Sequence, residues 1–384
     1  FLNLHGPDLT RSLLLYRYRR LRQAMWAASA AGHEGAMFPW MSGSDGRERA
    51  QTWHLNPLSG RWVPDNSRLE QHVGLAIAYN VWQYYQVTND LSFMSMYGTA
   101  LLCEIARFWV SRCDYDKERD RYVIRKVMGP DEFHEGYPGT DEPGVDNNAY
   151  TNIMASWVLE RAREALGKLP LQYHRDVLSE LSLDDEELGR WKEIARKLFV
   201  PFHGDGIISQ FEGYDDLKDI DIERYREKYR SLHRMDRILE AEGDSIRNYK
   251  LSKQADALML LYLFSEAELR EHLGYMGYAF TPEAVRRTID YYAKHTAHGS
   301  TLSRVVFAWV LTRYNREGSW DLFLEALRSD ISDIQGGTTH EGVHLGAMAS
   351  TVDILQRGYT GLETRGDALH FDPRLPQELK RLKF

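Results

Sequence analysis

Hydrophobic residues recur at helical spacing along most of this 384-residue chain. Residues 7–31 are predicted to form one amphipathic helix, because apolar side chains repeat every three or four positions among arginines. Residues 68–87 and 90–112 continue the pattern, and the short break between them is typical of antiparallel helices joined by a tight turn. Further helices are predicted over 147–167, 183–198, 221–230, 233–242, 252–264, 265–275, 282–294, 301–314, 316–328 and 341–358. The periodicity therefore predicts an all-α fold.

The helical pattern is interrupted by several segments of different character. Residues 33–67 contain too much Gly, Pro, Ser and Asn to form regular structure. Residues 122–127 are predicted to be extended, and GIISQFEGY, within 202–221, is a candidate strand pair. After residue 361 the sequence LETRGDALHFDPRLP alternates like a strand. Because no long flexible linker precedes it, we expect one domain over 1–361 and the start of a C-terminal β domain over 362–384.

The stretch MGPDEFHEGYPGTDEPGVDNNAYTN, residues 128–152, is predicted to be a loop followed by a helix start. Its glycines and prolines disfavour regular structure, whereas residues 146–148 are suitable caps for the next helix. Six carboxyl groups lie among aromatic residues, and burial against such surface raises the pKa of a carboxyl, as a general acid requires. Most acidic loops are simply solvated, so the loop alone leaves both interpretations open.

Two other segments suit an anion. HGSTLS, residues 298–303, places a histidine, a glycine N–H and two hydroxyl groups at a predicted helix start. GGTT, residues 336–339, offers glycine N–H groups and two hydroxyls before another helix. Ser or Thr before a helix is most often only a cap, so each segment alone is weak evidence. In the loop 33–67, Trp40, Trp53, His54 and Trp62 suit either the wall of a sugar site or the packing of the loop itself.

Composition argues against several classes of function. The chain carries 48 Lys and Arg against 56 Asp and Glu, a net charge of −8, with the basic residues scattered, so nucleic-acid binding is not expected. Neither a membrane-spanning apolar run nor a signal peptide is evident, so no membrane partner is expected. The two cysteines, Cys103 and Cys113, provide no disulfide framework, which favours a cytoplasmic location.

His340 and His344 match H-E-x-x-H, a spacing that binds zinc when it lies on a helix. We do not expect a metal, because the motif lies at the start of its helix and Gly342 weakens that helix by about 1 kcal/mol relative to Ala. The acids of the loop 128–152 also lack the spacing of an EF-hand calcium loop. No metal and no organic cofactor is therefore predicted.

GPDEFH followed by VDNNAYTN resembles the catalytic-loop signature of glycoside hydrolase family 65. Members of that family phosphorolyse or hydrolyse α-linked glucosides such as maltose, trehalose, kojibiose and nigerose. The expected order is completed by GAMFPW (35–40), KQAD (253–256), HGSTLS and GGTTHEGVHLGAM (336–348), so the resemblance covers essentially the whole chain. It implies an (α/α)6 barrel, a six-hairpin toroid. A Trp-Asp pair that grips glucose in the family lies just upstream of the matching segment, so we expect a barrel truncated at its N-terminal end.

The resemblance also implies roles for individual residues. Glu132 is expected to be the general acid, and Lys253 and Gln254 to hydrogen-bond the glucose hydroxyls. Trp40, His54 and Asp131 complete the predicted substrate site. Phosphate, the co-substrate, is expected to be bound by His298, Ser300, Thr301, Gly336, Gly337 and Thr338. A homodimer is a candidate state of the full-length protein.

The expected reaction is inverting phosphorolysis of an α-glucosidic disaccharide to β-glucose 1-phosphate and a free sugar. Phosphate is the nucleophile, so the site needs one acid and neutral or cationic donors, since a carboxylate about 4 Å away would repel phosphate by about 4 kcal/mol. An inverting hydrolase of the trehalase or kojibiose hydrolase type needs a second carboxylate, for which Glu341 is the candidate. An inactive sugar-binding fragment is the third alternative, and the linkage and leaving sugar stay open.

Overall fold

The structure is a computed structural model that describes residues 1–334, 339–365 and 368–383, and it is mostly helical. In chain order its α-helices are α1 Leu2–His5, α2 Pro7–Arg19, α3 Leu21–Ala30, α4 Val73–Thr88, α5 Leu91–Phe93, α6 Thr99–Ser111, α7 Ala149–Lys168, α8 Leu171–Leu181, α9 Asp185–Lys197, α10 Ile222–Lys228, α11 Met235–Ala241, α12 Asp256–Leu263, α13 Glu266–Tyr275, α14 Pro282–Lys294, α15 Thr301–Leu311, α16 Arg316–Arg328 and α17 Leu345–Asp353. The π-helical segments Met94–Gly98 and Ile354–Gly358 join α5 to α6 and extend α17.

The strands of the described ranges are short and pair two by two in antiparallel fashion. They are β1 Trp53–Asn56 with β2 Arg61–Pro64, β3 Cys113–Asp116 with β4 Arg121–Ile124, β5 Phe202–His203 with β6 Ile207–Ile208, and β7 Glu363–Arg365 with β8 Ala368–His370. The strand pair predicted within 202–221 is thus present, but it pairs Phe202 with Ile208 and leaves SQFEGY outside the ladder.

Six helices form an inner ring, in which α4 contacts α7, α7 contacts α12, α12 contacts α15 and α15 contacts α17. The short α1 contacts α4 and closes the ring. On its other side the amino group of Phe1 lies 3.9 Å from Asp353, and His5 Nε2 lies 2.6 Å from Gln356 Oε1. Helices including α2, α6, α9, α14 and α16 pack around this ring. The arrangement is that of an (α/α)6 barrel, so the predicted fold class is confirmed.

Helix α7 shows why the sequence folds in this way. Its residues are buried almost continuously from Ala149 to Leu159, because the helix lies between α4, α6, α9 and α12. The Asn148 side chain caps it by accepting a hydrogen bond from the Thr151 N–H, as the sequence predicted for this stretch. The acidic loop is therefore fixed to the N-terminal end of an inner helix.

Three predictions of secondary structure were wrong in part, and one helix was not predicted. The helix predicted over 7–31 ends at Arg19 and resumes at Leu21, where the Arg20 guanidinium turns to bond the Ser44 carbonyl. The loop 33–67 contains the hairpin β1/β2, because the turn residues that suggested irregularity form its 57–60 connection. Helix α8 was missed. The helix predicted over 341–358 begins only at Leu345, after a 3₁₀ turn at Thr339–Glu341.

Two expectations stay predictions after the fold is known: the domain boundary at residue 361 and the absence of a membrane partner. Strands β7 and β8 lie where a C-terminal β domain was expected, but two short strands do not define a domain boundary at 361. None of the described helices combines the length and the apolar composition needed to cross a membrane.

Candidate active site

The acidic loop is held against the barrel by buried polar contacts around Gly129. A Cβ added to Gly129 would lie 2.0 Å from Asp256 Oδ2 and 2.3 Å from Asn148 Nδ2, so only glycine fits there. Asn148 Nδ2 donates to Asp256 Oδ2 at 2.6 Å. Burial, together with the nearby Asp131 carboxylate, raises the pKa of Asp256 well above its usual range. The start of GPDE is thus packed directly on the N-terminus of α12.

Asp131 is the centre of a buried hydrogen-bond network. Its side chain is 3% exposed, and its Oδ2 accepts hydrogen bonds from His134 Nδ1 at 2.7 Å and Gln210 Nε2 at 3.3 Å. Its Oδ1 accepts from the Lys253 N–H at 2.8 Å. All these partners belong to the chain itself, and they fix the loop next to Glu132. Direct substrate binding by Asp131 stays a prediction.

Lys253 connects the acidic loop to HGSTLS. Its carbonyl oxygen accepts a hydrogen bond from the Gly299 N–H at 3.0 Å. Just before it, Ser252 forms a parallel bridge with Thr296, through bonds of 2.9 and 2.8 Å to the neighbouring backbone. A Cβ on Gly299 would lie 2.3 Å from the His233 carbonyl oxygen, which explains why this turn contains glycine. Segments far apart in the sequence are therefore locked together by backbone hydrogen bonds.

The predicted general acid, Glu132, is paired with Lys253. The distance from Lys253 Nζ to Glu132 Oε1 is 2.7 Å. The Lys253 side chain is only 12% exposed and that of Glu132 is 42% exposed, so the ammonium lies beneath the carboxylate instead of being solvated. Both side chains line a cavity of about 350 Å³ beside the hairpin β1/β2.

Most of the other residues that line this cavity are polar or charged. His54 lines it, with its Nδ1 3.5 Å from Asp65 Oδ2, and its role in substrate binding stays a prediction. Glu70, buried at the foot of α4, was not identified from the sequence. The rest of the polar lining is Gln51, Asn56, Asn66, Ser67, Glu135, Arg234, Asp236, Arg237, Glu240, Asp244, Ser245 and Arg247.

Two predicted sugar ligands, Gln254 and Trp40, do not line this cavity. Gln254 is 7% exposed, and its Nε2 donates to the Pro130 carbonyl oxygen, which ties KQAD to GPDE. Trp40 packs at 5.4 Å, between ring centroids, on the buried His72. Trp53 and Trp62 are 54% and 65% exposed on β1 and β2, so they do not fill the loop interior. The sugar-binding role of all four residues stays a prediction.

The HGSTLS turn adopts the helix start that the sequence predicted. Ser300 is the N-cap of α15, with its Oγ accepting from the Leu302 N–H, and Thr301 is the first helical residue. His298 has φ +52°, and its Nδ1 lies 2.9 Å from Ser303 Oγ. Burial, reinforced by Arg304 and His233, lowers the pKa of His298 to about 4. The histidine is therefore neutral at pH 7.

Arg304 lies under this turn and was missed by the sequence analysis. Its guanidinium is buried, donates to the His298 carbonyl oxygen at 3.2 Å and pairs with Glu325 at 2.9 Å. It also reaches His233 Nε2 at 3.2 Å. Arg304 follows Ser300 by four positions, one helical turn, and this spacing was available in the sequence. Gln210 and Glu70 had no comparable signal.

The other predicted phosphate ligands, Gly336, Gly337 and Thr338, lie outside the described residues, as does the side chain of Glu341. The H-E-x-x-H segment does not form an α-helical turn. Thr339–Glu341 is a 3₁₀ turn, and α17 begins after His344. His344 Nδ1 bonds Asp330 Oδ1 at 2.5 Å. Within the described residues no cluster of three His, Cys, Asp or Glu side chains is arranged to hold a metal ion.

Comparison with known proteins assigns this architecture to a family. Residues 1–353 match the family model of the glycosyl hydrolase family 65 central catalytic domain. Residues 362–384 match that of the glycosyl hydrolase family 65 C-terminal domain.

Two curated relatives extend the match over the chain. An uncharacterized glycosyl hydrolase of Mycobacterium tuberculosis is 56% identical over 383 residues, covering 100% of this chain and 29% of that protein. Trehalose 6-phosphate phosphorylase of Lactococcus lactis is 40% identical, covering 98% of this chain and 48% of the enzyme. The chain therefore spans less than half the length of either relative.

A solved structure supports the fold independently. A human-microbiome protein assigned as a kojibiose phosphorylase superposes with a TM-score of 0.79 at 22% identity. The superposition covers 98% of this chain and 50% of that protein.

Proposed function

The chain belongs to glycosyl hydrolase family 65, and from that premise we propose that it carries the catalytic centre of an inverting α-glucoside phosphorylase. The products would be β-glucose 1-phosphate and a free sugar. The observation that carries the proposal is the position of Lys253. Its ammonium contacts the acid, Glu132, while its carbonyl oxygen holds the HGSTLS turn.

The proposal assigns proton donation to Glu132. The Glu132 carboxyl lies 2.7 Å from the Lys253 ammonium on the wall of the cavity. A bound glucoside would offer hydroxyl groups to Lys253. The Glu132 carboxyl would give its proton to the glycosidic oxygen as the bond between that oxygen and the anomeric carbon breaks, while a phosphate oxygen forms the new bond to the same carbon. General acid catalysis of this kind contributes about 10²- to 10⁴-fold to the rate.

The proposal assigns phosphate to the HGSTLS turn. Neutral donors of His298, Ser300 and Thr301 lie at the N-terminus of the eleven-residue α15, where backbone N–H groups favour an anion. The guanidinium of Arg304 lies directly below and adds positive charge. The turn is outside the lining of the cavity that holds Glu132, so the sugar ring would have to lie between the two.

The substrate is proposed as an α-glucosidic disaccharide or its phosphate ester. The relative from Lactococcus lactis is named for trehalose 6-phosphate, which supports phosphorolysis of a trehalose-type bond in the same family. Maltose and kojibiose remain candidates for this chain. Cytoplasmic location and a homodimer also stay predictions.

Phosphate dependence tests the proposal. The intact protein would be incubated with trehalose, trehalose 6-phosphate, kojibiose and maltose, with and without phosphate, and the products followed by NMR. We expect that one of these disaccharides is turned over, that its turnover requires phosphate, and that β-glucose 1-phosphate is the first product. Phosphate-independent release of glucose would establish the hydrolase alternative, and sugar binding without any turnover would establish the binding-fragment alternative.

A further inference from the structure

Glu70 occupies an unusual position for an acidic residue. It follows the 3₁₀ turn Ser67–Leu69 at the start of α4, and it is 1% exposed. Its backbone is fixed, because the Glu70 N–H bonds the Ser67 carbonyl at 2.9 Å and the adjacent Leu69 carbonyl accepts from the Met128 N–H at 3.2 Å. The side chain lines the same cavity as Glu132 and Lys253.

Both carboxyl oxygens of Glu70 lack a hydrogen-bond partner within the described part of the chain. The other acids that line the cavity are all engaged. Asp65 accepts from Ser67, Glu132 pairs with Lys253, Glu135 with Arg247, Asp236 with Arg234, Glu240 with Arg61, and Asp244 accepts from Tyr249. Buried polar groups are almost always hydrogen-bonded, so two buried, unpaired oxygens on a residue that lines the cavity indicate a ligand that supplies the partners.

Burial and the charges around Glu70 together determine its protonation. The groups that act on it are the carboxyls of Glu132, Asp256 and Asp65 and the ammonium of Lys253, which is already paired with Glu132. Burial, reinforced by Glu132, raises the pKa of Glu70 to about 10. A protonated carboxyl has one O–H donor and acceptor capacity besides, which matches a sugar hydroxyl.

We propose that Glu70 is a substrate-binding residue that donates one hydrogen bond to, and accepts another from, hydroxyl groups of the sugar held against Glu132. The inference deepens the proposed function, since it rests on the cavity taking a glucoside. It names a contact that is made to neutral sugar hydroxyls and not to phosphate. A neutral Glu70 also adds no negative charge to the cavity.

Two neutral substitutions separate the contribution of hydrogen bonding from that of side-chain volume. Glu70→Gln keeps a donor and an acceptor in a neutral group of the same shape, so we expect glucoside affinity within about threefold of the unsubstituted protein at pH 7. Glu70→Leu keeps the volume but removes both hydrogen bonds, and we expect the Kd and KM for the glucoside to rise by at least about tenfold. The KM for phosphate should stay unchanged in both variants.

The pH dependence of glucoside affinity provides a further test. As pH rises toward the pKa of Glu70, ionisation removes its O–H donor, so glucoside affinity should fall in the unsubstituted protein. The same fall should be absent in Glu70→Gln, because an amide does not ionise. A structural role alone would change stability without moving this pH profile.

The control is Glu104→Gln. Glu104 is 2% exposed on α6 and pairs with Arg107 at 2.9 Å, away from the cavity, so its replacement should alter stability and leave glucoside affinity unchanged. Glucoside binding is measured by calorimetry without phosphate, so it does not depend on turnover. Unaltered affinity in a folded Glu70→Leu variant overturns the inference even if phosphorolysis is found. Weakened affinity in Glu70→Leu supports it even if the reaction is hydrolysis.

Discussion

The backbone N–H of Gly299 donates a hydrogen bond to the carbonyl oxygen of Lys253 at 3.0 Å. The same lysine places its ammonium 2.7 Å from Glu132. The predicted acid and the predicted phosphate turn are therefore held by the two ends of one residue. Displacement of either segment is expected to disturb the other.

Replacing Glu132 with Gln should strongly slow turnover of unactivated disaccharides, because an amide has no proton to give to the glycosidic oxygen. We expect a rate loss of about 10²- to 10⁴-fold with an unchanged circular dichroism spectrum. Glu135→Gln is the comparison, since Glu135 lines the same cavity but is engaged by Arg247 and Asn66. If Glu135→Gln loses more activity than Glu132→Gln, the acid has been misassigned.

Replacing Ser300 with Ala should weaken the binding of phosphate more than the binding of the glucoside. A hydrogen bond to a charged group is worth about 1.5–3 kcal/mol, which corresponds to a rise of about 10- to 150-fold in the KM for phosphate. Loss of the N-cap also lowers stability by about 1 kcal/mol. Ser265→Ala removes the comparable capping box of α13 and should reproduce only the stability loss. An equal rise in both KM values for Ser300→Ala would argue against a phosphate seat.

Replacing Gly299 with Ala should damage both halves of the site. The added Cβ would lie 2.3 Å from the His233 carbonyl oxygen, so the turn must move and the bond to Lys253 is strained. We expect reduced kcat together with a raised KM for phosphate in steady-state assays. Gly274→Ala, on α13, is the control, because its Cβ meets nothing within 4 Å and should stabilise the helix by about 0.5–1 kcal/mol. Normal kinetics in Gly299→Ala would show that the two segments are not coupled.

Acidification should lower stability through buried histidines. Burial, with a smaller contribution from Arg161, lowers the pKa of His272 to about 4, against about 6.5 in an unfolded chain. At pH values between these two pKa values, the unfolded state binds a proton that the folded state does not bind. The free energy of unfolding therefore falls as pH falls. The contribution approaches about 1.4 kcal/mol per pH unit.

Chemical denaturation between pH 6.5 and 4 measures this effect. We expect a smaller slope of unfolding free energy against pH for His272→Gln than for the unsubstituted protein. Equal slopes would mean that His272 is protonated in the folded state.

The sequence by itself determined the elements whose causes are local. Helical periodicity, Asn148 as a cap and the helix start at Ser300 depend on residues within one or two turns of each other. The family motifs could also be recognised in the sequence, because each is a continuous run of residues. The local signal was ambiguous where hydrophobic and turn residues were mixed, which is why β1/β2 and α8 were missed and why the start of α17 was placed too early.

Only the tertiary structure decided which groups meet and which remain open. The Asp131 carboxylate and the Lys253 N–H are 122 positions apart, and their hydrogen bond exists because α12 is packed beside α7 in the inner ring. Packing of the ring helices also buries Glu70, whose carboxyl oxygens have no hydrogen-bond partner among the described residues, and brings Arg304 under His298. Neither burial nor pairing of these side chains follows from neighbouring residues, because both depend on surfaces contributed by helices that are distant in the chain.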